Sequence, residues 1–582
     1  MSIITMDLLK NEKLCKESER VSREIRKYFR SAPEKKATSE VLAAYLLYKV
    51  TAAGKYADFP YEKLLTGELD FTPVNSWVIK ASLSEYDWKN LYSLASKFSP
   101  EAFALSALTC PIEDKMRREE ATPRSIISLA QKILNVTDHD AVADLCCGYG
   151  TYLTQSSLDE PSADYYGYEI NPDNSIIAEI RTRLVSDKIK IVLRNVFDLA
   201  GGNPRKRFKK IFSNYPFGMR LRNLGSGERF IEELTTKFPG ISKAVSSDWV
   251  FNSLICDLLT DDGKAVAIMT NGSTWNGMDM SMRKLFVESG LVECVIALPP
   301  RMFSVTSIAT SLIVFSKGNT CVRLIDASNI CQQGRRYNEF SDEDISAIVN
   351  ALKEDCEYSK TLTFNELREN DYTLSLERYL SLSGNFEYAT PFGDVIKSIT
   401  RGASLTADQL DAMATNNVTN MRYLELSNIQ NGVIDDKLQY LSHIEPSLEK
   451  YCLKDGSLLM SKSGYSTKLA VARVQEGQKI LANWNLYIIE LDEEKVNPYY
   501  LKAFFESERG IAVLKSISSG TSISVIGVDM LKKVKIPVPP LEEQNRIAQK
   551  YQATMDEIAI YRIKLEKAMS RLHHILDEER EG

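Results

Sequence analysis

The residues best suited to chemistry form one short run, Asn214-Tyr215-Pro216-Phe217, which directly follows Ser213. The side-chain carbonyl of Asn214 and the backbone carbonyl of Tyr215 can each accept one hydrogen of an exocyclic amino group. The ring of Phe217 can stack on the planar base that carries this amine, and Pro216 stiffens the turn. Two acceptors on one amine also direct its nitrogen lone pair toward an electrophile. The run therefore suits the handling of an extruded, amine-bearing base.

The element that must hold this run is the segment before it, residues 210–212, which has the character of the end of a buried strand. A second predicted strand, residues 141–145, leads into a loop that contains Gly148 and Gly150. Glycines there let the backbone turn sharply and approach a cofactor closely. The loop has no Walker lysine, which disfavours a triphosphate. This pattern favours a nucleoside-bearing cofactor at the carboxyl ends of the strands.

Two further predicted strands end in polar residues. Residues 165–170 contain Glu169, about twenty residues beyond the glycines, the spacing at which a carboxylate meets ribose hydroxyls. Residues 190–193 precede Asn195 and Asp198, and either side chain is a candidate to meet the cofactor's adenine. Upstream, Thr122-Pro123 places a capping residue and a proline before an apolar run at helical spacing, which predicts a helix start.

Residues 122–380 resemble the modification subunit of type I restriction–modification systems, a group of gamma-class N6-adenine DNA methyltransferases. The family's D-P-x-C-G-T-G loop is matched at Asp144, Cys147, Gly148 and Gly150. Its E-x-N-P motif is matched at residues 169–172, and its N-P-P-F-G motif at residues 214–218. Shorter similar segments lie at residues 248–251, 263–265, 271–272 and 295–303.

The resemblance implies S-adenosylmethionine as the methyl donor and a flipped adenine as the acceptor, with direct transfer and no covalent enzyme intermediate. The scattered cysteines and few histidines predict no metal site. The catalytic residues that the resemblance implies are Asn214, Tyr215, Pro216 and Phe217. The cofactor-binding residues expected on these grounds are Thr122, Pro123, Asp144, Cys147, Gly148, Gly150, Glu169, Asn195 and Asp198.

The chain departs from the family pattern at two positions. Leu145 replaces a proline of the glycine loop, where the backbone amides are nevertheless retained. Tyr215 replaces the first proline of N-P-P-F. Tyrosine still supplies the backbone carbonyl, but the stiffness that proline gives to the φ torsion is lost. We therefore expect an active but slower enzyme, with a catalytically inactive relic as the alternative.

The composition limits which classes of protein this chain can belong to. The chain is 44% hydrophobic and 26% charged, as ordinary globular proteins are. No apolar run of about eighteen residues predicts a membrane span. The ten cysteines form no C-x-x-C pair and only four histidines occur, so a reducing cytoplasm is the expected location. The net charge of −6 does not exclude a local basic surface for phosphate.

Beyond about residue 385 the pattern changes to short β-like pieces with turns such as Asn431-Gly432. This part resembles one target-recognition domain of a type I specificity subunit. The resemblance rests on residues 456–461, 519–523 and 536–544, the last of which reads I-P-V-P-P-L-E-E-Q. It implies a domain that reads base edges of double-stranded DNA, mainly in the major groove.

A long final helix is predicted from an apolar seam in steps of four and three. Its positions are Tyr551, Met555, Ile558, Arg562, Leu565, Met569, Leu572 and Leu576, with Arg562 as the polar exception. Such a seam predicts a coiled coil; a single amphipathic helix packed on its own domain is the alternative. One recognition domain and one such helix per chain imply a homodimer, and hence an interrupted palindrome with an adenine in each half-site.

The predicted architecture is therefore multidomain. A helical N-terminal domain spans residues 1–115, and an α/β Rossmann-like class I methyltransferase domain spans residues 116–385. An α+β target-recognition domain follows at residues 386–540, and the coiled-coil helix occupies residues 541–582.

Three functions are compatible with these features. The first is a sequence-specific DNA adenine-N6 methyltransferase of a type I-like restriction–modification system. The second is a catalytically impaired DNA-binding specificity component of a restriction or phage-defence complex. The third is methyl transfer to another substrate, such as protein glutamine, which the recognition-domain signature disfavours. Because no helicase, Walker or nuclease motif stands out, DNA cleavage would require a separate nuclease or translocase subunit.

Overall fold

A computed structural model gives the fold of this chain. It describes residues 3–29, 37–55, 59–110, 113–114, 119–120, 122–200, 206–219, 235–239, 245–303, 309–335, 337–376, 379, 386–435, 437–464, 467–519 and 524–578. Contacts divide the chain into two compact units, Met1–Leu376 and Glu377–Gly582. The finer four-domain division stays a prediction. Within the described ranges, no helix has the length and apolar character needed to cross a membrane.

The first unit begins with helices, as the sequence predicts. The seven are α1 Met6–Lys10, α2 Glu12–Phe29, α3 Ala37–Ala52, α4 Tyr61–Thr66, α5 Ser76–Ser82, α6 Glu85–Tyr92 and α7 Pro100–Thr109. Their caps follow local rules: the Ser84 hydroxyl accepts from the backbone N–H of Asp87, and Ser99 caps α7 before a proline. The buried faces of α2, α3 and α7 form one hydrophobic core.

This helical core continues into the rest of the unit through a further helix, Pro172–Val185 (α10). Arg181 on α10 is 3% exposed, and its guanidinium donates to the backbone carbonyl oxygens of Ala107 (3.2 Å) and Cys110 (2.6 Å). Because no carboxylate is among these partners, burial lowers the pKa of Arg181 to about 10. The N-terminal helices are thus packed firmly against α10.

The remaining helices of this unit accompany the sheet. They are α8 Arg124–Leu134, α9 Thr151–Asp159, α11 Ser247–Leu258, α12 Met280–Glu288, α13 Asp342–Ala351 and α14 Phe364–Glu369. Two short strands that pair with each other and nine strands of a larger sheet complete it: β1 Glu113–Asp114, β2 Glu119–Glu120, β3 Ala141–Leu145, β4 Asp164–Glu169, β5 Lys190–Leu193, β6 Phe208–Ser213, β7 Leu259–Thr270, β8 Val292–Ala297, β9 Thr310–Phe315, β10 Cys321–Asp326 and β11 Ser359–Thr363.

The nine strands form one mixed sheet in the order β11-β10-β8-β9-β7-β6-β3-β4-β5. β3, β4, β5, β6 and β7 are mutually parallel, and β9 runs antiparallel between β7 and β8. All six residues of β9 are buried, so the sheet is covered on both faces at this point. From β3 the chain moves outward to β4 and β5, then returns to β6 on the other side of β3. Ligands bind at such a switch point.

The predicted Rossmann-like sheet is confirmed, with small shifts at its boundaries. The strands predicted at residues 141–145 and 190–193 have these bounds, and the one predicted at 165–170 spans Asp164–Glu169. The helix predicted at Thr122-Pro123 begins at Arg124, with Pro123 as its N-cap and no side-chain cap bond. The Thr122 side chain is therefore available for another contact.

The second unit is α+β. Its strands are β12 Ala389–Pro391, β13 Ile396–Arg401, β14 Ala414–Thr415, β15 Met421–Leu424, β16 Ile429–Gln430, β17 Val433–Ile434, β18 Gln439–Leu441, β19 Leu458–Ser461, β20 Ser463–Gly464, β21 Leu469–Val471, β22 Lys479–Ala482, β23 Leu486–Leu491, β24 Ser518–Ser519, β25 Ser524–Ile526 and β26 Lys535–Pro537. Its helices are α15 Ala407–Met413, α16 Pro498–Glu506, α17 Glu508–Ile517, α18 Val528–Lys533 and α19 Leu541–Glu578.

Two four-stranded sheets organise these strands, in the orders β13-β23-β19-β21 and β14-β18-β15-β22. The first sheet packs with α16, α17 and α18 in one hydrophobic cluster. The predicted turn at Asn431-Gly432 joins β16 to β17, and both residues have positive φ. Residues 520–523, part of one of the resemblance segments, lie outside the described residues.

The start of α19 is fixed by Gln544, the last residue of the I-P-V-P-P-L-E-E-Q segment. Gln544 is fully buried; its amide donates to the carbonyl oxygens of Lys495 (3.0 Å) and Pro539 (2.7 Å) and accepts from the N–H of Asn497 (2.9 Å). The first half of α19 packs against α16, where the hydroxyl of Tyr551 bonds Glu506. The alternative of a helix packed on its own domain therefore applies to this half.

The second half of α19 presents apolar side chains to solvent. Ile558 is 37%, Leu565 60% and Met569 51% exposed, and all three lie on the predicted seam. The side chains of Leu572 and Leu576 lie outside the described part of the chain. The coiled coil itself stays a prediction.

Candidate active site

The side chain of Asn214 is oriented by a residue that is distant in sequence. Its amide nitrogen Nδ2 donates to the hydroxyl Oγ1 of Thr122 at 2.9 Å. Among the described residues no donor reaches the carbonyl oxygen Oδ1, and the side chain is half-buried. Because the donor end is occupied, the acceptor end is the one presented to a ligand. Thr122 was predicted to bind cofactor, and this contact with Asn214 was not foreseen.

Tyr215 does not project into the site but is buried beneath it. Its side chain is 1% exposed, and its ring stacks on Phe251 with centroids 4.7 Å apart and an interplanar angle of 7°. Its hydroxyl donates to Oδ1 of the fully buried Asn252 at 3.1 Å. Phe251 and Asn252 both belong to α11. The turn after β6 is thus anchored to α11 by the residue that replaces the family's proline.

Phe251 makes a second ring contact on the cofactor side of the sheet. Phe251 also contacts the ring of Phe197, with centroids 4.8 Å apart. Phe197 lies in the 3₁₀ turn Val196–Leu199, which follows β5, and its N–H donates to Oδ1 of Asn195 at 3.1 Å. Of the two adenine-binding candidates, Asn195 is half-buried and caps this turn, whereas Asp198 is exposed. Phe251 therefore links both loops of the site.

The remaining residues of the catalytic run face outward. Pro216 is exposed, and Phe217 is half-buried with its ring edge against Phe303 at 6.1 Å and 83°. Because Phe217 is only half-buried, part of its surface stays open to solvent beside this contact. Ser213, at the end of β6, bonds the backbone carbonyl of Leu145 and so joins the catalytic turn to the end of β3.

The glycine loop is shaped by its two glycines for different reasons. Gly150 has φ +72°, and a Cβ there would lie 3.2 Å from the backbone of Ala178 on α10, so only glycine allows this packing. Gly148 has φ +52° and would meet no atom within 4 Å, so its backbone borders open space. The N–H of Cys147 donates to the carbonyl of Tyr168 at 2.9 Å, which fixes the loop on β4.

Glu169 ties the end of β4 to this loop. Its carboxylate is 7% exposed and accepts from the N–H of Gly148 (2.9 Å) and from the N–H of Asn171 (2.7 Å). Each carboxylate oxygen has a second acceptor site, so both bonds are compatible with added ribose hydroxyls. A role of Glu169 in binding the ribose stays a prediction.

Asp144 is buried without compensation at the end of β3. It is 2% exposed, and its Oδ1 has no hydrogen-bond partner among the described residues. Burial, and second the charge of Glu169, raise the pKa of this carboxyl well above its ordinary value. An ammonium group beside Oδ1 would offset this cost. Asp144 therefore fits a cationic ligand group.

One apolar feature of the site was missed in the sequence. Ile170 and Leu193 follow or end the adjacent strands β4 and β5, and they are 66% and 56% exposed. Exposed branched aliphatic side chains beside Glu169 offer a surface on which a purine can lie. The sequence signal that could have revealed this surface is Ile170, which lies between an acid and Asn-Pro at the end of a strand.

The basic run at residues 205–210 lies away from this site. Within the run, Lys209 pairs with Asp262 (3.1 Å) and Arg207 pairs with Asp261 (3.7 Å) at the surface. These residues sit at the amino end of β6, opposite the catalytic turn. The described residues of this run therefore do not adjoin the catalytic turn. Arg205 lies outside the described residues.

The site has the features of a class I methyltransferase crevice: a glycine loop, an acid at the end of the next strand and an amide-bearing turn across the switch point. Residues 113–386 match the family model described as N-6 DNA Methylase. Residues 390–568 match the model described as Type I restriction modification DNA specificity domain. The chain thus carries a segment similar to N-6 DNA methylases, followed by a segment similar to type I specificity domains.

Curated relatives include both methylase and specificity subunits. The chain is 29% identical over 289 residues to the type I restriction enzyme MpnII methylase subunit of Mycoplasma pneumoniae, covering 45% of this chain and 52% of that protein. It is 31% identical over 128 residues to a putative type I specificity subunit, MjaX, of Methanocaldococcus jannaschii, covering 21% and 30%. The chain spans about half the length of the methylase relative. A methyltransferase subunit from Streptococcus thermophilus aligns at a TM-score of 0.47 and 21% identity, covering 60% of this chain and 85% of that chain.

The methylase family uses S-adenosylmethionine, and the residues present fit it. Asp144 offers an unpaired carboxylate oxygen for its amino group, the glycine loop offers open backbone, and Glu169 retains acceptor capacity for its ribose. Ile170 and Leu193 offer an apolar surface for its purine. Among the described residues, no three His, Cys, Asp or Glu side chains are grouped as metal ligands.

Replacing Tyr215 with phenylalanine tests the anchor beneath the catalytic turn. Tyr215→Phe keeps the stack on Phe251 but leaves the buried Oδ1 of Asn252 without its donor, which costs about 1–3 kcal/mol of unfolding free energy. Denaturant unfolding measures the change. Tyr168→Phe is the control, since the Tyr168 hydroxyl makes no hydrogen bond among the described residues. Equal effects of the two substitutions would contradict the anchor.

Replacing Asp144 with asparagine tests its unpaired carboxylate. Because the native-state pKa is raised, the carboxyl opposes folding above its ordinary pKa, and this cost vanishes as the pH falls below that value. Asp144→Asn should therefore raise the melting temperature at pH 8 and much less at pH 4, and should weaken S-adenosylhomocysteine binding by calorimetry. Asp140→Asn is the control, because Thr137 donates to Asp140 through its N–H and its hydroxyl, and this change should destabilise. An unchanged melting temperature at pH 8 would exclude the unpaired state.

Proposed function

We propose that this chain is a sequence-specific DNA adenine-N6 methyltransferase of a type I-like restriction–modification system, with its own target-recognition domain. The observation that carries the proposal is the fixed orientation of Asn214, whose Oδ1 is presented as an acceptor beside the Tyr215 backbone. These two acceptors suit the two hydrogens of the adenine amino group. The family match of residues 113–386 supports the same substrate chemistry.

In the proposed reaction a flipped adenine enters the crevice and stacks on Phe217. Asn214 and the Tyr215 carbonyl accept its two amino hydrogens, which draws the nitrogen out of conjugation and aims its lone pair. S-adenosylmethionine, when bound, supplies an electrophilic methyl group. The chain's contribution is positioning and preorganised dipoles, and the amine proton leaves after transfer, so no general base is required.

A second candidate function is a DNA-binding component whose methylase has decayed. Its main support was the loss of proline at Tyr215. The buried anchor of Tyr215 weighs against it, because the stack on Phe251 and the bond to Asn252 restrict the turn that a proline would otherwise stiffen. The retained Asp144, Glu169 and Gly148 arrangement also supports a working cofactor site. Methyl transfer to protein glutamine is disfavoured by the specificity-domain match at residues 390–568.

The specificity domain and α19 together suggest the form of the target. We infer that two copies associate through the exposed seam of α19, formed by Ile558, Leu565 and Met569. Two-fold symmetry then presents two identical recognition domains, so the target is an interrupted palindrome with one adenine in each half-site. DNA cleavage, where it occurs, falls to a separate nuclease or translocase subunit.

Methylome sequencing tests the proposed activity. Expression of this chain in a host that lacks adenine methylation should add N6-methyladenine at one bipartite motif, read by single-molecule sequencing. Asn214→Ala should abolish the mark, because one acceptor of the amine is lost. Asn350→Ala, at an exposed asparagine on α13, should leave it intact. Methylation at an uninterrupted asymmetric site would contradict the symmetric target, and no methylation by the wild type would contradict the activity.

Charge substitutions on α19 test the dimer. Leu565→Glu combined with Met569→Glu places two carboxylates on the exposed seam and should convert a dimer to a monomer in light-scattering chromatography. Lys567→Glu, on the opposite side of the helix, is the control and should remain dimeric. A wild-type monomer at concentrations of tens of micromolar, roughly the range where a specific interface assembles, would contradict the inference.

A further inference from the structure

A cluster of two cations and an indole lies at one end of the sheet β13-β23-β19-β21 in the second unit. Trp484, in the turn between β22 and β23, is 38% exposed. The guanidinium of Arg401 lies 4.7 Å from the centroid of its ring, and Nζ of Lys462 lies 5.4 Å from it. Arg401 ends β13 and Lys462 follows β19, so both flank the amino end of β23. We call Arg401, Lys462 and Trp484 the cation cluster.

The backbone fixes this arrangement. Nε of Arg401 donates to the carbonyl oxygen of Trp484 at 2.9 Å, which leaves its terminal amino groups without a partner among the described residues. The N–H of Lys462 donates to the carbonyl of Asn485 at 2.7 Å, and its carbonyl accepts from Ile526 at 3.0 Å. Both side chains therefore start from ordered strands and turns, and their charges are held near one ring.

No carboxylate offsets these two charges within the described residues. Burial, and second the positive charge of Arg401, lower the pKa of Lys462. Two other lysines of the unit do have carboxylate partners: Lys454 pairs with Glu490 at 2.9 Å and Lys479 pairs with Glu449. Two like charges held together at a surface without a counterion favour binding of an anion.

We propose that the cation cluster binds the backbone phosphates of double-stranded DNA and so sets the orientation of the recognition domain on its target. Arg401 supplies a planar pair of amino groups suited to phosphate oxygens, and Lys462 supplies a point charge beside it. Trp484 holds the two cations in place and excludes water from one side. Such contacts position a protein on the duplex without reading its sequence. The inference rests on the proposed function, since it takes DNA as the partner.

The salt dependence of DNA binding tests the cluster. Fluorescence anisotropy with a mixed-sequence 40-base-pair duplex (a length of about four helical turns) is measured over a series of salt concentrations. Each phosphate contact contributes about one unit to the slope of log K against log salt. The Arg401→Gln, Lys462→Gln double variant should therefore lower the slope by about two units and weaken binding at low salt.

The control removes two charges that already have carboxylate partners. The Lys454→Gln, Lys479→Gln variant should keep the wild-type slope, and melting temperatures check that both variants fold. An unchanged slope in the Arg401, Lys462 variant would overturn the proposal, as would an equal loss in the control, which would indicate a bulk charge effect. If the wild type itself fails to bind duplex DNA, the proposed function fails together with this inference.

Discussion

The geometry of the proposed site depends on the burial of Tyr215. A turn after a strand has few contacts of its own, so acceptor atoms on it need support from elsewhere. Here the stack on Phe251 and the bond to Asn252 hold the backbone from below, while Thr122 holds the amide of Asn214 from the side. A proline would fix one torsion, whereas a buried ring fixes the position of the whole residue against α11. The substitution therefore changes how the turn is held rather than whether it is held.

The parts of this site that could be predicted are those encoded locally. Glycines after a buried strand, an acid at the end of the next and an amide after a fourth each leave a pattern within a few residues. The order of the strands alone brings these residues together at one edge of the sheet. The contact of Thr122 with Asn214 and the ring of Tyr215 beneath the turn could not be predicted, because both depend on packing between segments far apart in sequence.

The final helix illustrates the same limit. A period of four and three predicts which face of α19 is apolar, but periodicity does not say what covers that face. In the first half of α19 the helix's own domain covers this face. There Gln544 is hydrogen-bonded to three backbone groups, and Tyr551 bonds Glu506. Past these contacts the seam continues with Leu565 and Met569 exposed. A single helix thus packs on its own domain over its first half and exposes an apolar seam over its second half.

The two carboxylates of the crevice, Glu169 and Asp144, differ in how the protein compensates their charges. Glu169 receives two backbone N–H donors, so its charge is compensated by the protein, whereas Oδ1 of Asp144 has no donor among the described residues. A buried charge of this kind costs folding free energy that a better-paired residue would not. The unpaired carboxylate of Asp144 is useful if a cationic ligand group binds beside it, because the protein then need not reorganise when the ligand arrives. The same reasoning applies to the uncompensated cations at Arg401 and Lys462, which suit an anionic partner. Charges left unpaired within a unit are therefore the best guide to what that unit binds.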